Sequence, residues 1–133
     1  MITAKIIKLA SFTNNIGLKN KFTHKSSIKN SLCGDFIKTE FIIEKSKIIS
    51  MRYETESCII CEASASLFSR KIKNTKTNDL VKEIKKFKKL KKDGKYKFSK
   101  KFKEFNFLIN SNTNRLNCVI LPMEAFLKAF KIN

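Results

Sequence analysis

The chain has 133 residues, of which 42% are hydrophobic and 30% are charged, and its formal net charge is +18. This length allows one hydrophobic core, and no apolar run approaches the roughly 18 residues that a membrane-spanning helix needs. The first residues carry a lysine inside their apolar stretch, which does not match a secretory signal peptide. We therefore expect a single cytoplasmic domain over residues 1–133, with no membrane partner.

The charge has two interpretations. One is a polyanion partner such as RNA or DNA. The other is compositional, because the chain has only three glycines, one proline and no tryptophan, as expected when codons drift toward A and T. Lysine then fills any solvated face, so the charge alone does not establish nucleic-acid binding.

The N-terminal segment begins with apolar residues at helical spacing over residues 2–10, which predicts a short helix. The following residues, as far as Asn30, have the composition of a loop in which Gly17 marks a turn. His24, the single histidine, falls in this segment. It is predicted to lie on the surface and to take no part in a site.

A hairpin pattern starts after Asp35, where the apolar period changes to two. The residues predicted to share the buried face are Ile37, Thr39, Phe41 and Ile43 on one strand and Ile49, Met51, Tyr53 and Thr55 on the next. The turn is placed at residues 44–47. A hairpin with one apolar face needs a cover, so the expected fold is α+β, a small antiparallel sheet of about three strands with helices packed on one face.

Three helices are predicted after the hairpin. The first runs from Cys58 to about Lys73 and begins with small residues that allow close packing. The second is capped by Asn78 and has an apolar stripe between lysines. The third is the last in the chain, and Pro122 is placed in its first turn.

The four cysteines indicate metal or sulfur chemistry if the compartment is reducing. Cys58 and Cys61 form a CxxC, but there is no second CxxC for a zinc ribbon and no βαβ unit for a thioredoxin-like site. Cys58 lies at a predicted helix N-terminus, which favours its thiolate. The alternative is that the cysteines are small buried apolar residues.

A four-ligand set gives the best arrangement. Cys33 and Asp35 precede the hairpin, Cys58 follows it, and Cys118 lies at the start of the last helix. Three thiolates and one carboxylate suit tetrahedral zinc. Cys61, one helical turn after Cys58, is close enough to compete as a ligand.

Several motifs resemble the NifU/IscU/SufU family of iron-sulfur cluster assembly scaffolds. The family pattern is an Asn-Gly start, Cys-Gly-Asp, a hairpin, a cysteine before a small-residue helix, and a third cysteine near the last helix. The matching residues are Asn15 and Gly17, Cys33-Gly34-Asp35, Cys58 with Ala63-Ser64-Ala65-Ser66, and Arg115-Leu116-Asn117-Cys118. The chain departs from the pattern at Ser31, where a proline is usual, and at Ser57, where a glycine is usual.

The SufU-like branch is the nearest, because Asn117 stands where IscU-type proteins have a metal-binding histidine. The resemblance implies a zinc-bound protein that accepts persulfide sulfur from a cysteine desulfurase and passes it to an acceptor or scaffold protein, or that holds a transient iron-sulfur cluster. Cys33 is the expected sulfur acceptor and Cys118 the second choice. Arg115 is expected to hold the Asp35 carboxylate or the incoming sulfur.

The rival hypothesis is a basic nucleic-acid-binding module with structural cysteines. It uses the lysine-rich region 82–103, where four aromatic residues are available to stack on bases. These are Phe87, Tyr96, Phe98 and Phe102. The same lysines would also suit docking on an acidic surface of the desulfurase.

Overall fold

The computed structural model describes residues 4–30, 34–90, 98–111 and 116–132. Within these ranges the chain forms three strands and five α-helices, with a short 3-10 turn at Lys100–Phe102. The elements are α1 (Ala4–Ala10), β1 (His24–Lys29), β2 (Phe36–Glu44), β3 (Lys47–Glu56), α2 (Ile59–Lys71), α3 (Thr77–Leu90), α4 (Glu104–Ser111) and α5 (Leu116–Ala129). The α+β fold expected from the sequence is confirmed. None of the helices in these ranges has the length and apolar character needed to cross a membrane.

The sheet has the order β1-β2-β3, and both pairings are antiparallel. Lys45 and Ser46 form a two-residue turn between β2 and β3, with φ of 51° and 65°. Positive φ at both central residues is the geometry whose twist matches a tight hairpin. The predicted hairpin and its turn are therefore confirmed.

The strand β1 lies in the segment that the sequence predicted to be a loop, so that prediction was wrong. Its sequence, HKSSIK, contains one strongly apolar residue, Ile28, and therefore shows no apolar alternation. Pairing with β2 and contacts with α5 make it a strand: the Ser26 hydroxyl donates to the Ala125 carbonyl at 2.7 Å. His24 is half-buried, and its ring stacks on Phe130 at 4.2 Å between centroids. The prediction that His24 lies on the surface was therefore wrong.

An irregularity in the β2-β3 register changes the buried face near the turn. Phe41 pairs with Met51 and Ile42 with Ser50, but Ile43 pairs with Ile48, so Ile49 is the extra residue of a bulge. Ile48 is fully buried and Ile49 only partly. The prediction that Ile49 lies on the buried face was wrong, because strict alternation from Met51 does not include the bulge.

The helices α2 and α5 pack on the buried face of the sheet, and α1 packs on α2. The small residues of α2 are all buried: Ala63, Ser64, Ala65 and Ser66. Their size allows α5 to approach closely enough for the Ser64 hydroxyl to donate to the Val119 carbonyl at 2.5 Å. This hydrogen bond fixes the position of α5 relative to α2.

Two predicted helix ends were wrong. The helix α3 begins at Thr77, so Asn78 lies in its first turn and is not its cap. The helix α5 begins at Leu116, so Pro122 lies inside it and not in its first turn. Tertiary packing of the apolar residues before the proline outweighs the loss of one backbone hydrogen bond.

The described aromatic residues of the lysine-rich region belong to the core. Phe87, Phe98 and Phe102 are 1%, 7% and 5% exposed, and the rings of Phe87 and Phe98 stack at 4.9 Å between centroids. Tyr96 lies outside the described residues. Three of the four aromatic residues invoked for base stacking are therefore unavailable for it, while the lysines of α3 occupy its exposed face as expected.

The bulge gives a test of the fold. Ile48→Ala should lower the free energy of unfolding by about 2–5 kcal/mol, because it leaves a cavity under a fully buried side chain. Ile49→Ala, the matched control, should lower it by about 1 kcal/mol or less. Urea unfolding followed by circular dichroism measures both. Equal losses, or a larger loss for Ile49→Ala, would contradict the register described here.

Candidate metal centre

The loop between β1 and β2 is closed at its base by backbone hydrogen bonds. The Asn30 amide donates to the Asp35 carbonyl at 2.7 Å, and the Gly34 amide donates to the Asn30 carbonyl at 2.8 Å. Gly34 has a φ of +76°, which a glycine adopts at low cost, and an added Cβ would meet no atom within 4 Å. Gly34 is therefore needed for conformation and not for space, and the closed loop fixes the position of Asp35 directly before β2.

Asp35 joins this loop to the start of α2. Its Oδ1 accepts the Cys58 backbone amide at 3.1 Å, and its Oδ2 accepts the Cys58 thiol at 3.4 Å. Asp35 is only 6% exposed, so these donors compensate the burial of its carboxyl group. Cys58 caps α2 with extended backbone, at the end where unpaired amides favour negative charge.

Cys118 reaches the same place from the first turn of α5. The Sγ atoms of Cys58 and Cys118 and a carboxylate oxygen of Asp35 all lie within 4.8 Å of one another. Cys118 is 5% exposed, and its neighbour Val119 accepts the hydrogen bond from Ser64. Pro122 has no amide to donate to the Cys118 carbonyl, which would be its partner in a regular helix.

These three donors fit a metal ion. Zinc holds sulfur at about 2.3 Å and carboxylate oxygen at about 2.1 Å, so tetrahedral neighbours lie roughly 3.6–3.8 Å apart. The Cys58 Sγ and Asp35 Oδ2 are 3.4 Å apart, and no pair in the group exceeds 4.8 Å. Small side-chain movements therefore suffice to bring the three donors around one ion, and the described residues supply no fourth donor to this group.

The predicted site residues divide into three groups. Asp35, Cys58 and Cys118 are brought together. Cys33 and Arg115 lie outside the described residues. Cys61 is fully buried and does not belong to the group of donors found among the described residues, and its competition as a ligand stays a prediction.

A cavity of about 590 Å³ next to this site was missed by the sequence reasoning. Its lining includes Glu54, Glu56 and Glu62, an acidic group in a strongly basic chain. Burial raises the pKa of Tyr53, which also lines the cavity. Period two puts Glu54 and Glu56 on one face, but nothing in the sequence indicates that α2 brings Glu62 to them.

The comparison with protein families agrees with this geometry. The model of the NifU-like N-terminal domain matches residues 1–103, and these include Asp35 and Cys58. The chain therefore belongs to the NifU-like N-terminal domain family, a family of iron-sulfur cluster assembly scaffolds. A comparison with curated protein sequences finds no significant match.

Solved structures share the fold over almost the whole chain. The N-terminal part of a nitrogen-fixing NifU-like protein from Brucella abortus has a TM-score of 0.85 at 14% identity, with 97% of this chain and 91% of that chain covered. A scaffold protein described as putative, of the SUF iron-sulfur system of Fervidobacterium islandicum, has a TM-score of 0.78 at 22% identity, with 96% and 95% covered. A hypothetical protein has a TM-score of 0.76 at 18% identity, with 96% and 97% covered.

Metal content tests the donor set. We expect about one zinc ion per purified chain, and loss of that zinc in Cys58→Ala and Cys118→Ala, because each removes a thiolate ligand. Cys61→Ala is the matched control and should keep it, since this thiol lies outside the donor group. Elemental analysis of the protein purified under reducing conditions gives the ratio. Full zinc in both ligand variants would contradict the site.

Proposed function

We propose that the protein accepts persulfide sulfur from a cysteine desulfurase at a zinc-bound cysteine site and passes it to a downstream acceptor or scaffold protein. The observation that carries this proposal is the convergence of Asp35, Cys58 and Cys118 within 4.8 Å, beside the loop that contains Cys33. The same donors would suit a nascent iron-sulfur cluster, which is cargo, if the protein acts as a scaffold. The cytoplasm, where thiols stay reduced, suits this chemistry.

The metal site needs four donors, and Cys33 is the proposed fourth. It is two residues from Asp35, and two residues span at most about 7 Å, so its thiol is within reach of the same position. When bound, zinc would supply Lewis acidity that keeps thiols deprotonated at neutral pH. Asp35 would be the weakest and most easily replaced ligand of the four, because a carboxylate is harder than a thiolate.

The residues around the site have separate roles. The Asp35 carboxylate orients Cys58 through its amide and its thiol, and the N-terminus of α2 favours the Cys58 thiolate. Cys58 is thus held at a helix start, whereas Cys33 directly precedes Gly34, whose backbone is left-handed. We therefore assign sulfur acceptance to Cys33 and structural ligation to Cys58.

Sulfur transfer is a thiol exchange. The Cys33 thiolate attacks the outer sulfur of the desulfurase persulfide, a new S–S bond forms on Cys33, and the desulfurase cysteine leaves as a thiolate. No external oxidant or reductant is needed, because the sulfane sulfur only changes its partner. Arg115 is proposed to hold the Asp35 carboxylate or the incoming sulfur, and Cys118 is the second candidate for acceptor.

Two further features support the SufU-like form of this function. Asn117, which precedes Cys118, is exposed in the first turn of α5. An asparagine amide is not among the usual zinc ligands, so the fourth ligand would have to be a cysteine. The lysines on the exposed face of α3 suit encounter with an acidic partner surface. The burial of Phe87, Phe98 and Phe102 gives the nucleic-acid alternative no stacking surface among the described residues of that region.

The decisive variant is Cys33→Ser. It should abolish stimulation of a cognate cysteine desulfurase and leave no persulfide on the protein, because the attacking thiolate is absent. Incubation with the desulfurase and cysteine, followed by mass spectrometry of the intact protein and its peptides, locates the sulfur. Cys61→Ala, the control, should accept sulfur like the unmodified protein. Persulfide on Cys118 alone would move the acceptor role there, and a desulfurase indifferent to the unmodified protein would refute the function.

A further inference from the structure

The strand β3 is an edge of the sheet, and only part of that edge is paired within the described residues. The Tyr53 amide donates to the Asn15 carbonyl at 3.1 Å, and the Gly17 amide donates to the Tyr53 carbonyl at 2.8 Å. Tyr53 therefore directs both backbone groups away from β2. Residues two apart in an antiparallel strand have the same orientation, so Thr55 also directs its amide and carbonyl outward. No backbone group among the described residues pairs with Thr55 on that side.

Residues 15–17 form the segment that pairs with Tyr53, and this pairing does not continue along β3. The Arg52 guanidinium donates to the Gly17 carbonyl and to the Ile16 carbonyl, both at 2.7 Å. The pairing is a single parallel bridge between Ile16 and Tyr53. Beyond this segment the edge at Thr55 has no backbone partner among the described residues, and Thr55 lines the cavity of about 590 Å³.

The cavity lining has the chemistry of a peptide site. Its apolar part includes Ala10, Ile16, Phe36 and Tyr53, and Ile16 is one of the few large hydrophobic residues with substantial exposure, at 42%. Its charged part has three carboxylates and one lysine: Glu54, Glu56, Glu62 and Lys38. The whole chain has 29 basic and 11 acidic residues, so this lining reverses the charge of the rest of the protein.

We propose that the β3 edge at Thr55 binds an extended segment of a partner protein by strand addition, and that this segment carries lysine or arginine. Backbone hydrogen bonds to an open edge supply affinity, and alternate side chains of the added strand supply specificity. Basic side chains on one face of the segment would meet Glu54 and Glu56, which share a face of the sheet with Phe36, while apolar side chains on the other face would cover Ile16. An acidic segment would be repelled.

The location makes this surface relevant to the thiol site. Phe36 directly follows Asp35, and the Glu62 amide donates to the Cys58 carbonyl at 3.1 Å. Thr55 precedes Cys58 by three residues, which span at most about 11 Å, so a segment bound at Thr55 lies close to the thiol site. The proposal goes beyond sulfur transfer, because it requires neither a metal ion nor a particular reaction.

The test uses synthetic peptides on the full chain. The probe is an acetylated peptide in which lysine and valine alternate. It has about six residues, which is a typical strand length. It should slow hydrogen exchange of the Thr55 amide and shift the NMR signals of Ile16 and Thr55. A peptide of the same sequence with N-methylated amides keeps the charge but lacks the donors, and an alternating glutamate and valine peptide reverses the charge. Both should bind at least about tenfold more weakly.

Protein variants give the matched comparison. Glu56→Lys should weaken binding of the lysine peptide by about tenfold, whereas Glu44→Lys, an equal charge change at the far end of β2, should not. Thr55→Pro removes the outward amide at an edge position where proline is tolerated, and it should also weaken binding.

Three results would overturn the proposal. Equal binding of the N-methylated peptide would reduce the interaction to charge attraction. Signal changes confined to β1 would place the peptide at the other edge of the sheet. A dimer in sedimentation experiments without peptide, in which the Thr55 amide is already protected, would assign the edge to a second copy of this chain. Failure of sulfur transfer would leave these measurements unaffected.

Discussion

The two hydrogen bonds from Cys58 to the Asp35 carboxylate are the interaction on which the site depends. A carboxyl group that is 6% exposed must be paired, and its donors come from the first residue before α2. This pairing joins the β1-β2 loop to the N-terminus of α2. It places a carboxylate and a thiol together before any metal ion is bound, so less rearrangement is needed when a metal binds.

A second constraint brings in the third donor. The small residues of α2 let α5 approach until Ser64 donates to the Val119 carbonyl at 2.5 Å, and this places Cys118 next to Asp35 and Cys58. A larger residue in place of Ser64 would push the helices apart and separate the donors. The small-residue run therefore helps to position the three candidate donors, although none of its members is a donor itself. Pro122 contributes a local loss of regular helical bonding just after Cys118.

The distribution of charge gives the molecule two different surfaces. Lysines cover the exposed face of α3, above an apolar stripe that includes Ile84 and Phe87. The cavity beside the site is lined by Glu54, Glu56 and Glu62 with one lysine. A basic surface and an acidic cavity on the same protein suit two partners of opposite charge, which is compatible with the proposed transfer of sulfur from one protein to another.

The sequence by itself determined the hairpin and the α+β class, because alternation along β2 and β3 is a local pattern. It also determined the family resemblance and the choice of Asp35, Cys58 and Cys118, because these follow from short motifs that keep their order. Tertiary structure decided the rest. The strand β1 has no apolar alternation and becomes a strand only by pairing with β2, and Ile48 replaces Ile49 in the core because a bulge depends on two strands at once. The roles predicted for Cys61, Phe87, Phe98 and Phe102 rested on their positions in the sequence, whereas tertiary packing buries all four side chains. The acidic cavity unites β3 with α2, so no single stretch of sequence contains it.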